Sequence, residues 1–513
     1  MNFYLPSNLD LEGIVKKNPP DFKFNNTQCK YLLNLIYSIP IQNKSIELVR
    51  NYTPIYSKLL KNKIPNYALY YQYLENNGVI EINNSYNLGR SKGYRYTEVY
   101  QGEIKAERIH CKKVKKYIQK DCKYCRKTEV RYYHLMRWLS EGLVIDLEKA
   151  RGYNQKLLNL KLQGILPKDK NKRGFNKDPM LQYNTAEILF LKIQQNDFLP
   201  SVDNTSYRLH SPLTQIKSEF RNFITYKGKR LISLDLKNSQ PYISTVLFNP
   251  LFWTPNSTFN IFKINSNKVI EYYKYIVCTT LSHMWENFAN TQYQHGFERY
   301  SKIVENGFYE YMKELLSSRL GEAYNAKEKV KETMFLVLFS KNGFFYTNEA
   351  APKRVFAEEF PEVYEFFKCL KSKDYTMLAL LLQNIESYIF LNLITKKISK
   401  ERADLPLFTV HDSIVTVEGE ESYVKRVMEE ELEALIGKRP TITIDLWTPE
   451  KLTLPEYNLN PVLTPDQAKL PKRIKKYTCR KIRNLFNRWF PSYVSKTNYP
   501  KSNNIQFKID SNE

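Results

Sequence analysis

Two aspartates stand where a strand-forming sequence has little reason to carry charge. In FTVHDSIVTVEG, Phe408 to Gly419, two β-branched runs meet through His411-Asp412. A tight hairpin there would set Asp412 at its tip. In LISLDL, Ile232, Leu234 and Leu236 alternate, which buries one strand face and turns Asp235 to the other, near the strand's end. A carboxylate buried alone is unfavourable, and a bound cation relieves it. Two carboxylates from separate segments can hold two Mg²⁺ ions ~3.5–4 Å apart for an in-line phosphoryl displacement. A third stretch, NAKEKVKETMFLVLFSKNG, spaces Lys327, Lys331, Phe335 and Phe339 four apart, so they share one helical stripe. Val330, Met334 and Val337 form a core stripe, and Asn342-Gly343 supplies a stop. Two cations followed by two rings suit a nucleoside triphosphate, charge for the phosphates and a ring for the base. Each patch also has a bland reading: an Asp in a turn is ordinarily a turn residue, and lysines at i,i+4 ordinarily form a solvated face.

The bulk composition points to the same class of ligand. The chain has 513 residues, 42% of them apolar, enough for a sizeable core and three or four modules. Lys and Arg number 78 against 53 Asp and Glu, a surplus of +25 that indicates a polyanionic partner. The 39 Tyr and 28 Phe give bases rings to stack on, although AT-rich codon usage raises Tyr as well. The start, MNFYLPSNLD, has no basic segment followed by an apolar one, and apolar runs such as MLALLL (377–382) are too short to span a bilayer. No membrane partner is expected. Seven scattered cysteines fit a reducing, cytoplasmic compartment.

The positioning elements divide the chain. Residues 1–104 read as a small basic module: a helix in IPNYALYYQYLENNG followed by a hairpin in SYNLGRSKGYRYTEVY, a winged-helix-like pairing with Arg90, Lys92 and Arg95 on the wing, or equally a solvated hairpin. Residues 105–200 read as helical and basic, with HLMRWLSEGLVIDLEKA the clearest amphipathic piece. There Cys111, Cys122 and Cys125 with His110 or His134 match a four-ligand zinc site only loosely, since one CxxC has irregular flanks. Residues 201–250 hold the strand RLISLDL and a helix starting near Ser239 with Pro241 in its first turn, and 251–394 are mostly helical. Residues 395–455 return to strands around the helix ESYVKRVMEEELEALIG, and 456–513 form a basic tail.

In order and spacing the three patches resemble motifs A, B and C of the superfamily that joins family A DNA polymerases with single-subunit RNA polymerases. Asp235 in DLKNSQP matches motif A, Lys327, Lys331 and Phe339 fall at the motif B offsets, and Val410-His411-Asp412 matches motif C. Tyr207-Arg208-Leu209, with Arg221 downstream, resembles the segment whose Arg reaches the primer–template, and LLQNIESYIFLNLI resembles the helix that brings a Gln, here Gln383, to the template. The resemblance spans roughly 200–450. It implies an α+β right-hand polymerase: an antiparallel-sheet palm (201–250 and 395–455), helical fingers (251–394) and a thumb-like region (105–200). It implies two Mg²⁺ ions on Asp235, Asp412 and the Leu236 carbonyl, and Lys331 on the triphosphate with Lys327 beside it. Phe335 and Phe339 would lie at the base, and Arg208, Arg221, Gln383 and His411 on the nucleic acid. The implied partners are a DNA primer–template and nucleoside triphosphates. Small size and AT-rich composition suggest a mobile element, plasmid or phage.

The departures concern the sugar. Lys327 replaces the usual Arg of motif B, Phe339 the usual Tyr, and Ser340 its Gly. Ser239-Gln240 sit four and five residues after Asp235, and Asp412 is followed by Ser413, both nearer the RNA polymerases. Against that, Gln240 is a large residue for the position beside C2′, and Phe339 has no hydroxyl with which to recognise a ribose. The expectation is DNA synthesis, with an RNA polymerase or primase and a non-catalytic replication protein as the alternatives.

Overall fold

Alternating apolar residues build the sheet on which both aspartates lie. In the computed structural model its six antiparallel strands are Leu143–Ile145 (β1), Ile224–Tyr226 (β2), Lys229–Leu236 (β3), Phe408–Val410 (β4), Ser413–Val417 (β5) and Ile442–Leu446 (β6). The described residues are 1–455 without 44–45, 47, 49, 84–90, 124–125, 140–141, 171–173, 265–266 and 277–290. The chain divides into Met1–Leu454 and Pro455–Glu513, so the basic tail lies outside the description.

Strand β3 is central. It pairs with β5 from Leu231↔Val417 to Asp235↔Ser413, and with β6 from Ile232↔Leu446 to Leu236↔Ile442. At its start it turns back to β2 through Lys227-Gly228, both left-handed (φ 47° and 80°), as a tight two-residue hairpin demands. The sequence suggests one buried face, but Leu231 and Ser233, on the face of Asp235, are buried too. Past its exposed start at Lys229 and Arg230, β3 opens again at Asp235. Strand β1 continues the sheet beyond β2, so the LVI of an apparently helical region is a sheet strand.

The helices that matter for the site are Ser239–Ser244 (α1), Thr291–Leu320 (α2), Lys327–Phe339 (α3), Thr376–Tyr388 (α4) and Glu421–Ile436 (α5). Helix α2 kinks at Gly307, whose φ of 117° is open to glycine and strained for other residues. Helix α4 runs on through a π-helical turn, Ile389–Ile394, into Thr395–Glu401. The 26 residues Thr376–Glu401 are therefore long and apolar enough to cross a membrane by length and composition, although MLALLL alone is not, and 67% of the most apolar window is buried in the protein. Helix α5 buries Val424, Val427, Met428, Leu432 and Ile436 and stops on left-handed Gly437 (φ 77°).

Toward the N-terminus, helices Asn26–Gln42, Ser57–Lys61 and Tyr67–Asn76 accompany a three-stranded sheet in which Gly93–Tyr96 lies between Thr53–Pro54 and Ile80–Asn83. The tip of the expected hairpin, with Arg90, falls outside the described residues. Arg95 binds Glu81 at 2.7 Å and covers the Tyr52 ring at 4.6 Å. Strand Asn2–Pro6 pairs with Ile104–Arg108, so a boundary at 104/105 would cut a strand.

The residues expected for zinc are spread along and beyond one helix. Cys111 and Cys122 cap opposite ends of the ten-residue helix Lys112–Asp121. Ten residues at a 1.5 Å rise separate them by roughly 15 Å, far beyond two Zn–S bonds of ~2.3 Å. His134 is bonded to Thr395 Oγ1 (3.0 Å), and Cys125 lies outside the described residues. Among the described residues no group of three His, Cys, Asp or Glu could hold a metal ion.

Candidate active site

The strand register brings the aspartates together. Residues 411–412 are the two-residue turn between β4 and β5, with Val410 opposite Ser413 and His411 left-handed at φ 58°. Because Ser413 is also opposite Asp235 across β3–β5, Asp412 emerges beside the end of β3. The Leu236 N–H donates to the Asp412 carbonyl (3.4 Å), and Thr443 Oγ1 donates to the Asp235 carbonyl (3.2 Å). Ser413 Oγ donates to Asp235 Oδ1.

The charges act on one another. Burial and then the Asp412 charge push the Asp235 carboxyl up to about 6, while the Ser413 hydrogen bond and the Lys331 cation pull it the other way. Asp235, Asp412 and Lys331 are thus one electrostatic group. Helix α3 supplies Lys331 because Val330, Met334, Val337 and Leu338 are fully buried and turn the opposite side outward. Phe335 and Phe339 stack at 5.5 Å with ring planes 20° apart, and Phe335 is half exposed. Lys327 begins the same helix, and its side chain is outside the description.

Three residues flanking the site have left-handed backbones: Tyr207 (φ 55°), Asn238 (φ 58°) and His411 (φ 58°). Tyr207 precedes Arg208, Asn238 leads into α1 with Gln240, and His411 precedes Asp412. Left-handed geometry costs a side-chain-bearing residue roughly 1–2 kcal/mol, and such strain concentrates at functional sites.

Two residues that the sequence reading assigned no part also belong to the group. Glu386 on α4, 1% exposed, accepts Arg208 Nε (2.9 Å) and Nη2 (2.6 Å) on Oε1 and Gln240 Nε2 (2.7 Å) on Oε2. Burial, with Asp412 adding to it, holds its carboxyl up at about 7 although Arg208 opposes the shift. Tyr309, just past the kink of α2, has its phenol pushed up to about 12 by burial and by Asp412. Glu386 carried a weaker signal than Asp412, the one acid in the helical run MLALLLQNIESYIF, where polar residues on one side are ordinary. Tyr309 carried none.

The expected nucleic-acid contacts are placed unevenly. Arg208 faces the site but has two donors on Glu386. Arg221 is drawn inward: its Nε donates to the Leu213 carbonyl (3.0 Å), its guanidinium lies 6.0 Å from the Trp447 ring centre, and burial lowers its pKa. Gln383 is half-buried on α4, one turn before Glu386.

No family model matches the chain, and no curated protein matches it. Among solved structures it is similar to the POL domain of Pol1 from M. smegmatis, in complex with DNA primer-template and dNTP. The identity is 12% and the TM-score 0.33, over 62% of this chain and 70% of that one. A likeness of this size carries no argument about the site, which stands on its own residues.

Proposed function

We propose that the chain is a template-directed nucleotidyltransferase, a right-hand polymerase that extends a primer with dNTPs on a DNA template. In this reading the sheet with β3, β5 and β6 is the palm, the helices between 251 and 394 are the fingers, and the helices Leu147–Leu162 and Pro179–Gln194 are the thumb. The observation that carries it is the meeting of Asp235 and Asp412, from distant segments, within electrostatic reach of Lys331.

The donors fit a hard divalent cation. A carboxylate pushed up to about 6, first by burial and then by the Asp412 charge, is a site that gains from positive charge, and the proposed donors are oxygens. Asp235, Asp412 and the Leu236 carbonyl would hold Mg²⁺. When bound, Mg²⁺ neutralises phosphate charge and favours ionisation of the attacking hydroxyl. Lys331 would bind the triphosphate and give a proton to the departing pyrophosphate, with Lys327 adding charge. Phe339, backed by Phe335, would stack on the incoming base. Arg208, Gln383 and His411 would meet the primer–template, and Gln240 would stand beside C2′. Positioning and charge neutralisation would supply most of the rate.

Ser413 favours a second reading. It follows the motif C aspartate as in RNA polymerases, and here it binds Asp235, which leaves NTP use as the alternative. Primer extension with dNTPs or NTPs on DNA and RNA templates tests both. Mg²⁺-dependent extension by the wild type is expected, with none by Asp412→Asn and a single-turnover rate lowered by about two orders of magnitude in Lys331→Ala. Nucleic-acid binding without synthesis under every condition would instead identify a non-catalytic replication protein.

A further inference from the structure

On its solvated helices this chain sets acids beside exposed cations. On α5, Lys425 faces Glu429 (3.7 Å) and Arg426 faces Glu430 (3.1 Å), each one turn on. Helix α2 pairs Lys302 with Glu298 (3.1 Å) in the same way. Such pairs stabilise a helix, and like charges at the same spacing destabilise it. The helix Lys112–Asp121 is built the other way. Lys112, Lys116 and Lys120 follow one another at four-residue spacing, all exposed, with exposed Lys113 beside them. Lys112 and Lys113 stand in the first turn, where the helix dipole favours acids, and no acid is there.

The one acid of this helix, Asp121, is turned inward. It accepts from Lys63 Nζ and from the Tyr31 hydroxyl (2.7 Å), and Lys63 also donates to that hydroxyl (2.8 Å). Val114 is buried, Tyr117 and Ile118 are half-buried, and the Tyr117 hydroxyl donates to the Lys63 carbonyl (3.0 Å). This anchoring fixes the lysines outward. It also brings alongside the short helix Ser57–Lys61, which exposes Lys58 and Lys61 in a stretch, 51–66, that has no acid. Among the described residues none of these exposed lysines is in an ion pair. The result is a held face of uncompensated positive charge, on two helices that carry none of Asp235, Asp412 and Lys331.

Charge and shape select its occupant. The basic tail and a second copy of the chain, itself at +25, are repelled. An anionic membrane takes up a helix whose apolar side can sink into it, and here that side is packed against the core. A single strand is gripped through rings among the charges. The one ring of this helix, Tyr117, is tied to the Lys63 carbonyl and lies under the Lys113 ammonium (6.0 Å). What is offered is a row of point charges from Lys112 to Lys120, about 12 Å long at a 1.5 Å rise per residue. A duplex carries one phosphate charge per ~1.7 Å of its axis. We propose that this face is a docking surface for the phosphate backbone of duplex nucleic acid, separate from the carboxylate site and blind to sequence. The proposal goes beyond the polymerase reading and does not need it, since a replication protein without catalysis would use the same grip.

The test is a salt titration of duplex DNA binding by the full chain without Mg²⁺ or nucleotide, so that it is decided apart from the question of synthesis. Wild type is compared with the triple variant Lys112→Gln, Lys116→Gln, Lys120→Gln and with the same three positions changed to Arg. A control of equal charge, Lys397→Gln, Lys425→Gln, Arg426→Gln, removes cations that are already paired. The first triple variant should flatten the slope of log Kobs against log salt by about 2–3 units. The Arg variant should keep the wild-type slope, and the control should change it by less than about one unit. Lys58→Gln with Lys61→Gln reads the second helix independently and should flatten the slope by about 1–2 units. The melting temperature of the first triple variant should not fall, because like charges at four-residue spacing are relieved. A slope equal to that of the control would overturn the proposal. So would intact duplex binding with lost binding to phosphatidylserine vesicles, which would make the face a membrane contact.

Discussion

At the scale of residues, burial first and the Asp412 charge second make an ionised Asp235 unfavourable. The Asp235 carboxyl is pushed up to about 6 from an ordinary value near 4, so the folded chain disfavours its ionisation more than the unfolded chain does. The sign follows from linkage. The penalty is absent below pH 4, grows as pH rises from 4 to 6, and is fully present above 6. That rise corresponds to roughly 2–3 kcal/mol before solvent screening is discounted. Asp235→Asn removes the charge and keeps an oxygen for the Ser413 hydroxyl. In metal-free buffer at pH 7.5 it should therefore melt higher than the wild type, while abolishing synthesis. Mg²⁺ should raise the melting temperature of the wild type and not that of the variant, because only the wild type gains a ligand on folding. A variant less stable than the wild type without metal would show that the two carboxylates are not a strained pair. Asp235 and Asp412 were legible because each interrupts an apolar strand, where a charge needs a reason. Glu386 interrupts an apolar helix instead, where one polar position per turn is ordinary amphipathicity, and its partners Arg208 and Gln240 lie far away in sequence.

At the scale of elements, local patterns were readable and long-range partners were not. The hairpin around His411-Asp412, the strand ending at Asp235, and α3 and α5 all follow from periodicity and turn chemistry within a dozen residues. The LVI of β1 did not, because three residues in amphipathic surroundings become a strand only through pairing with Ile224–Tyr226. The module edge near 104 was hidden for the same reason, since Ile104–Arg108 is paired by the first strand of the chain. The kink of α2 yields a prediction. Gly307 has φ 117° and lies two residues before Tyr309, which faces the Asp412 charge. Alanine there pays a left-handed penalty of roughly 1–2 kcal/mol or straightens the helix. Gly307→Ala should lower the melting temperature by several degrees and, if Tyr309 is moved, reduce the extension rate beyond what the lost folded fraction explains. An activity per folded molecule equal to that of the wild type would separate the kink from the site.

At the scale of the whole molecule, the surplus of +25 is the dominant feature, and its distribution makes it testable. Residues 466–513 carry 12 Lys and Arg against 3 Asp and Glu, about a third of the surplus, with Phe486 and Trp489 among them. The remainder is spread over 1–465 and includes the helix Lys112–Asp121, which exposes Lys112, Lys113, Lys116 and Lys120 while Val114 is buried. If the tail grips a phosphate backbone, each contact it makes releases condensed counterions. The slope of log Kobs against log salt then falls by ~0.9 for every duplex phosphate lost. Deleting 466–513 should weaken duplex binding and flatten that slope by several units without bringing it to zero, because the charge of 1–465 remains. Sequence preference should not change, since a backbone contact reads no bases. The measurement is a salt titration of binding to two unrelated duplexes by the full chain and the deletion. Identical slopes would assign the tail's charge to solubility or to a protein partner. A slope that collapses to zero would place all the nucleic-acid contact in the tail, leaving the basic helix and the surroundings of Asp235 and Asp412 without a role in holding the duplex.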